Sequence, residues 1–187
     1  KARAAVEAVG SISDDPTALT AAGAATSICG DQKRATTFIE KALALDPNNA
    51  WAWARLGWLA IYKDEATQAR EHFQRGMALS PRDPFVFNMR LGMAFSLAME
   101  GSLSQAIAIA HEVINTYPDV TWSYRHLAAW SAMSGDLETA RWAAQKLLAA
   151  EPGFTIDRYR ALPWFQNIPQ WQHQMAEGLR KAGLPER

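Results

Sequence analysis

The sequence predicts an all-α fold, an array of about four stacked helix pairs closed by a C-terminal capping helix. Three sets of residues on one period carry that prediction. Four prolines end similar phrases, "LALDP" at Pro47, "MALSP" at Pro81, "VINTYP" at Pro118 and "LLAAEP" at Pro152, at spacings of 34, 37 and 34. Ala35, Ala69, Ala106 and Ala140 keep the same spacings, and so do Gly30, Asp64, Gly101 and Gly135. A unit of this length is one helix pair. It cannot bury its apolar face alone and needs neighbours stacked on it.

Residues 1–12, "KARAAVEAVGSI", read as the second helix of a preceding, truncated pair. The chain starts in mid-helix without a Met, so it is expected to be part of a longer protein. Pairs follow at about 16–49, 50–83, 84–120 and 121–154. In each, the first helix runs to the Gly or Asp junction, and Asp31, Ser102 or Asp136 is placed to cap the second helix. The proline then ends the second helix, because it has no N–H for the hydrogen-bond ladder. Gly23, Gly57, Gly92 and Ala128 in the first helices are expected to face Ala35, Ala69, Ala106 and Ala140 in the second, so that the two backbones approach closely. Trp53, Leu56, Phe73, Leu79, Leu127, Leu147 and Leu148 fill the layers between. The third pair departs from the pattern, with extra residues between Phe85 and Gly101 that lengthen its first helix.

Segment 155–187 differs in kind. It holds a short helical turn, a proline corner at "LPWF" and a helix from about Ile168 to Ala182. Trp171, Met175 and Leu179 share one side of that helix, which suits a cap over the last pair's apolar face. A docking helix for another protein is the alternative.

The second pair, "AWAWARLGWLAIYKDEATQAREHFQRGMALSPRD", resembles a tetratricopeptide repeat (TPR), with Trp53, Leu56, Gly57, Ala69, Phe73 and Pro81 at signature positions. The first pair matches at Gly23, Ala35, Ala42 and Pro47, and the fourth at Leu127, Gly135, Ala140 and Pro152. The resemblance covers residues 1 to about 154. It implies a right-handed α–α superhelix, a TPR solenoid, whose first helices line a concave groove for a protein or peptide. One TPR binding mode is not expected. The clamp for a partner's terminal carboxylate uses Lys and Asn on adjacent first helices, and the first pair carries Thr20 and Ala24 there.

Composition narrows the function classes. The chain has 187 residues, 49% of them hydrophobic, and Lys plus Arg balance Asp plus Glu at 19 each. That composition is globular, not disordered. A net charge of zero offers no field for direct nucleic-acid binding. No apolar run reaches the roughly 20 residues a membrane helix needs, so no membrane insertion is expected. The single cysteine, Cys29, excludes an internal disulfide and fits a reducing cytoplasm. The extracytoplasmic side of a membrane-anchored parent is the alternative location. The four histidines are spread over separate units with no paired-ligand spacing, and no phosphate-binding glycine loop occurs. No catalytic residue, metal ligand or cofactor is expected, and the chain is not read as an enzyme.

The aromatic cluster in residues 51–62 is the main functional signal. At about 100° per residue, Trp53, Leu56, Gly57 and Ala60 share one stripe, assigned to the core. Trp51, Trp58 and Tyr62 fall within about 40° of one another, nearly opposite Trp53. In the TPR family this second stripe lines the groove. On the same register the third pair presents Met89 and Met93 and the fourth Trp122, with Arg55, Arg90 and either Arg125 or His126 near one edge. Aromatic and Met side chains offer adaptable contact area, and guanidinium groups can take carboxylates. The candidate groove is therefore Trp51, Arg55, Trp58, Tyr62, Met89, Arg90, Met93, Trp122 and Arg125. Coverage by other repeats, or an aromatic-rich core, remains the bland explanation for the same rings.

The phrases "SPRDP", "LAAWSAMSGDLETA" and "GLPER" resemble the C-terminal region of bacterial class III adenylate or guanylate cyclases, or of winged-helix transcriptional regulators. That implies an interaction and regulatory module in signal transduction, with the output domain upstream of Lys1 as one candidate partner. A small-molecule sensor pocket in the same groove, and a passive scaffold or dimerisation array, are the alternatives.

Overall fold

The structure is a computed structural model that describes residues 14–165 and 167–187. The helix expected over 1–12 lies outside the described residues. Regular structure among the described residues is helical throughout. It comprises α1 (Pro16–Ile28), α2 (Gln32–Leu45), α3 (Ala50–Ile61), α4 (Ala66–Leu79) and α5 (Val86–Met99). Then come α6 (Leu103–Thr116), α7 (Trp122–Ser134), α8 (Leu137–Ala150), the short α9 (Ile156–Arg160), a 3-10 turn (Pro163–Phe165) and α10 (Pro169–Lys181).

Helix starts follow local chemistry. Asp15 accepts the Thr17 N–H at 2.7 Å just ahead of Pro16, whose missing N–H costs nothing in a first turn. Asp31 accepts from Arg34 N–H at 3.1 Å, Asn49 from Ala52 at 3.0 Å and Asp136 from Thr139 at 3.0 Å. Ser102 stands at the α6 N-cap without a side-chain cap bond, unlike the two aspartates with which the sequence groups it.

The four periodic junctions share one backbone device. Gly30, Asp64, Gly101 and Gly135 all have positive φ, between 65° and 92°. The next residue's N–H reaches back five positions in each: Asp31 to Thr26 O, Glu65 to Ala60 O, Ser102 to Leu97 O and Asp136 to Ser131 O, at 2.8–3.2 Å. That is the bond by which a left-handed residue ends a helix and satisfies its free carbonyls. Asp64 holds this conformation with a side chain attached, which glycine does without steric cost.

The chain divides into two compact units, one ending at Gly92 and one starting at Met93. In the first, α1 packs on α2, α3 packs on α4, and α3 also contacts α1 and α2. Leu19, Ala35, Phe38, Ile39, Ala42, Ala52 and Leu59 form one buried cluster. Phe73 of α4 is fully buried. A Cβ on Gly57 would come within 2.6 Å of its ring, and one on Gly92 within 2.2 Å. The absent side chains at Gly57 and Gly92 therefore make room for this ring. A Cβ at Gly23 would meet Ile39 at 2.5 Å and the Ala35 carbonyl at 3.2 Å.

In the second unit α7 packs on α6, α8 and α10. Phe95 is the hub, with ring centroids at 5.3 Å from His126, 6.0 Å from Trp130 and from Phe165, and 5.5 Å from Trp171. Trp171, Met175 and Leu179 of α10 are buried. Close approach of α10 to α7 depends on Gly178, where a Cβ would stand 2.6 Å from the Ala129 carbonyl oxygen. The C-terminal residues turn back onto α9: Ile156 N–H donates to Pro185 O at 2.9 Å and Asp157 N–H to Glu186 O at 3.0 Å. Arg180 binds Glu186 and Glu177, and Arg160 reaches Glu186 at 3.3 Å. No helix among the described residues is long and apolar enough to cross a membrane.

Candidate functional site

The first unit carries a pocket of about 440 Å³ lined by Trp51, Ala54 and Arg55 of α3, Asp83 and Phe85 of the turn between α4 and α5, and Phe87, Asn88 and Met89 of α5. The turn is set by Asp83, whose carboxylate accepts the Phe85 N–H at 2.8 Å, a local bond typical of aspartate. It throws the Phe85 ring outward, 68% exposed, while Trp51 in the first turn of α3 is 42% exposed. Phe85 and Phe87 lie 5.9 Å apart between centroids. Met89 is buried, with its sulfur close to the position a Gly76 Cβ would take, so it forms the floor.

Two of the lining residues bring hydrogen-bond donors into these apolar walls. Trp58 Nε1 donates to Asn88 Oδ1 at 2.7 Å. An indole can only donate, so this bond assigns the amide and leaves Asn88 Nδ2 as the free end. Arg55 donates from Nη2 to Ser27 Oγ at 2.8 Å. Its Nε is buried without a hydrogen-bond partner, and among the described residues no carboxylate pairs with it. Burial pulls the Arg55 guanidinium below its ordinary value, with a smaller opposing pull from Tyr62.

The aromatic stripe of α3 thus divides differently from its helical angles. Trp58 and Tyr62, expected to face a groove, are buried at 6% and 9% exposure. Phe73 meets the Trp58 ring edge-on at 5.6 Å and Asn88 takes its N–H, so α4 and α5 cover the stripe beyond its first turn. Trp53, expected in the core, is half-buried, with Nε1 donating to Pro47 O at 2.8 Å. Of the nine candidate residues, Trp51, Arg55 and Met89 line this one pocket. Arg90 is exposed and is not among its lining residues. Asp83, Phe85, Phe87 and Asn88 escape the helical reading, because the pocket joins a turn to two helices and its lining shares no single period; the aromatic run "PFVFN" straight after "SPRD" is the signal that marks them.

Met93, Trp122 and Arg125 belong to the second unit and are half-buried. Trp122 lies edge-on to His126 at 5.4 Å. Arg125 sits over the Tyr159 ring at 5.4 Å and lines a separate pocket of about 410 Å³ with Glu151, Phe154, Arg158 and Tyr159. That cation–π contact and the nearby Glu151 place Arg125 in the packing of the C-terminal segment.

His126 is buried, with Nδ1 2.9 Å from the Trp122 carbonyl. Burial, and next the Arg125 charge, hold its pKa well below the ordinary imidazole value, against the Trp122 hydrogen bond. The unfolded chain, with a pKa of about 6.5, then binds more protons below that pH than the folded chain. Stability present above about pH 6.5 is lost as pH falls toward the folded value, at up to ~1.4 kcal/mol per pH unit. His126→Phe should remove this component. Urea midpoints of both proteins at pH 7 and 5.5 check it, and an unchanged difference between them would refute it.

Among the described residues no three His, Cys, Asp or Glu side chains gather as a metal site. A family model described as a domain of unknown function (DUF7017) matches residues 23–145. No curated protein matches the chain. Among solved structures it is similar to PilW, a widely conserved type IV pilus biogenesis factor, at 18% identity over 95% of this chain and 87% of that one, with a TM-score of 0.72. MamA from Desulfovibrio magneticus RS-1 matches at 23% identity over 74% of this chain and 77% of that one, TM-score 0.60. YrrB, a TPR protein with an unusual peptide-binding site, matches at 18% identity over 97% and 92%, TM-score 0.58. The fold is that of TPR proteins.

Proposed function

The chain belongs to the DUF7017 family, and we propose that it is a protein-interaction module that takes a peptide segment in the pocket of its first unit. One observation carries this reading: Trp51 and Phe85 hold large apolar rings in water at the rim of a 440 Å³ cavity. Exposed aromatic anchors around a preformed concavity are where interfaces concentrate their binding energy. The peptide-binding site named for the similarly folded YrrB supports the same reading. The phrases shared with cyclases and winged-helix regulators extend it to a regulatory role in a bacterial signalling protein, with a segment of the same protein as one candidate occupant. The cavity also falls in the roughly 300–1,000 Å³ range of small-molecule sites, which favours a sensor as the second reading.

The test is selection of a random 12-residue peptide library on the purified chain, followed by binding of the synthetic hits to a Trp51→Ser/Phe85→Ser double variant. Loss of at least tenfold in affinity, with unchanged circular dichroism, supports the pocket. Equal binding to both proteins overturns it.

A further inference from the structure

We propose that the occupant of the first-unit pocket presents a carboxylate beside a large apolar side chain, with Arg55 and Asn88 receiving the carboxylate. The inference rests on the interaction reading above and specifies its partner. Arg55 is half-buried, and a guanidinium drawn partly out of water among apolar walls gains from an anion beside it. Among the described residues Arg55 donates only to the Ser27 hydroxyl. Ser27 does not depend on it, since its own hydroxyl already donates to Ala24 O at 2.9 Å. Asp83 lines the same cavity, with Oδ1 accepting the Phe85 N–H, and forms no ion pair with Arg55. Arg55 therefore contributes a cation to a cavity whose walls, apart from Asp83 and Asn88, are aromatic or apolar.

Asn88 adds a second donor by construction. Trp58 holds Oδ1, so the amide cannot turn round to offer an acceptor, and its Nδ2 makes no hydrogen bond among the described residues. Two side chains lining one cavity thus present donors, and among the peptide groups that can accept from both, a carboxylate is the one that also carries charge opposite to the guanidinium. A cationic ligand would meet the guanidinium directly. The rings of Trp51, Phe85 and Phe87 suit the neighbouring apolar side chain of an acidic peptide.

The probes are the synthetic peptides from the library selection, each made also with its acidic residue changed to the amide. The hits are expected to carry Asp or Glu within three residues of a large apolar residue. The acid-to-amide change should weaken binding to the natural chain at least tenfold, and binding to Arg55→Gln less than twofold, the signature of direct coupling. Asn88→Asp is the second variant: it keeps an acceptor for Trp58 and should repel the acidic peptides while sparing their amide forms. Hits that lack an acid, or an acid whose removal costs the same on both Arg55 forms, overturn the carboxylate assignment. The pocket reading would survive that result, because it falls only if the Trp51/Phe85 variant binds the hits unchanged.

Discussion

Phe73→Ala is expected to destabilise the first unit by about 3–5 kcal/mol, the range for deleting a buried phenylalanine ring. The ring occupies space that Gly57 and Gly92 leave open on two different helices, and Trp58 rests edge-on against it at 5.6 Å. Neither glycine has a side chain that could swing in to fill the void. The site therefore cannot collapse by rotamer changes, and the loss should sit at the upper end of the range. Denaturant titration followed by tryptophan fluorescence would measure it, with Trp58 reporting the local loss. A change below 2 kcal/mol would mean that α3 and α5 close over the gap as whole helices. Phe73→Leu should recover part of the loss.

Gly178→Val should cost the second unit about 3 kcal/mol, near the top of the usual penalty for overfilling a core. Here, unlike in the space around Phe73, the obstacle is main chain. Even the first added carbon would stand 2.6 Å from the Ala129 carbonyl oxygen and 3.0 Å from its Cα. Backbone in the middle of α7 cannot turn aside as a side-chain end can, so α10 has to lift away from α7. Buried Met175 and Leu179 share α10 with Gly178 and would lose contacts with it. A thermal midpoint unchanged by the substitution would show that α10 can slide at no expense, and that its role as a cap had been overestimated.

The parts of the molecule legible in its sequence are those where one residue type is demanded by backbone geometry. Gly30, Gly101 and Gly135 mark left-handed helix ends because few other residues stand there cheaply, and Asp64 is found through their period. The capping helix was visible from Trp171, Met175 and Leu179 because its single apolar face follows one period. Trp58 shows where such reasoning stops. Its helical angle was read correctly, but what covers it is Asn88, 30 residues further along, and no property of α3 alone announces that neighbour. Phe85 and Phe87 failed for the complementary reason. Their pocket is assembled from a turn and two helices, so its walls share no period. Arg55 stands out in the sequence for its charge; that it is half-buried and paired with no acid among the described residues follows only from packing.

The closure of the C-terminal tail onto α9 carries a lesson about kinship between proteins. Its two hydrogen bonds to the α9 backbone come from the main-chain oxygens of residues 185 and 186, which every amino acid possesses, while the Glu186 side chain adds ion pairs to Arg160 and Arg180. Another chain could keep the backbone half of this clasp with no identical letter in that stretch, whereas the left-handed junctions favour glycine, which stands at three of the four. Comparison by letters therefore finds the repeats more readily than the clasp, which superposed backbones reveal.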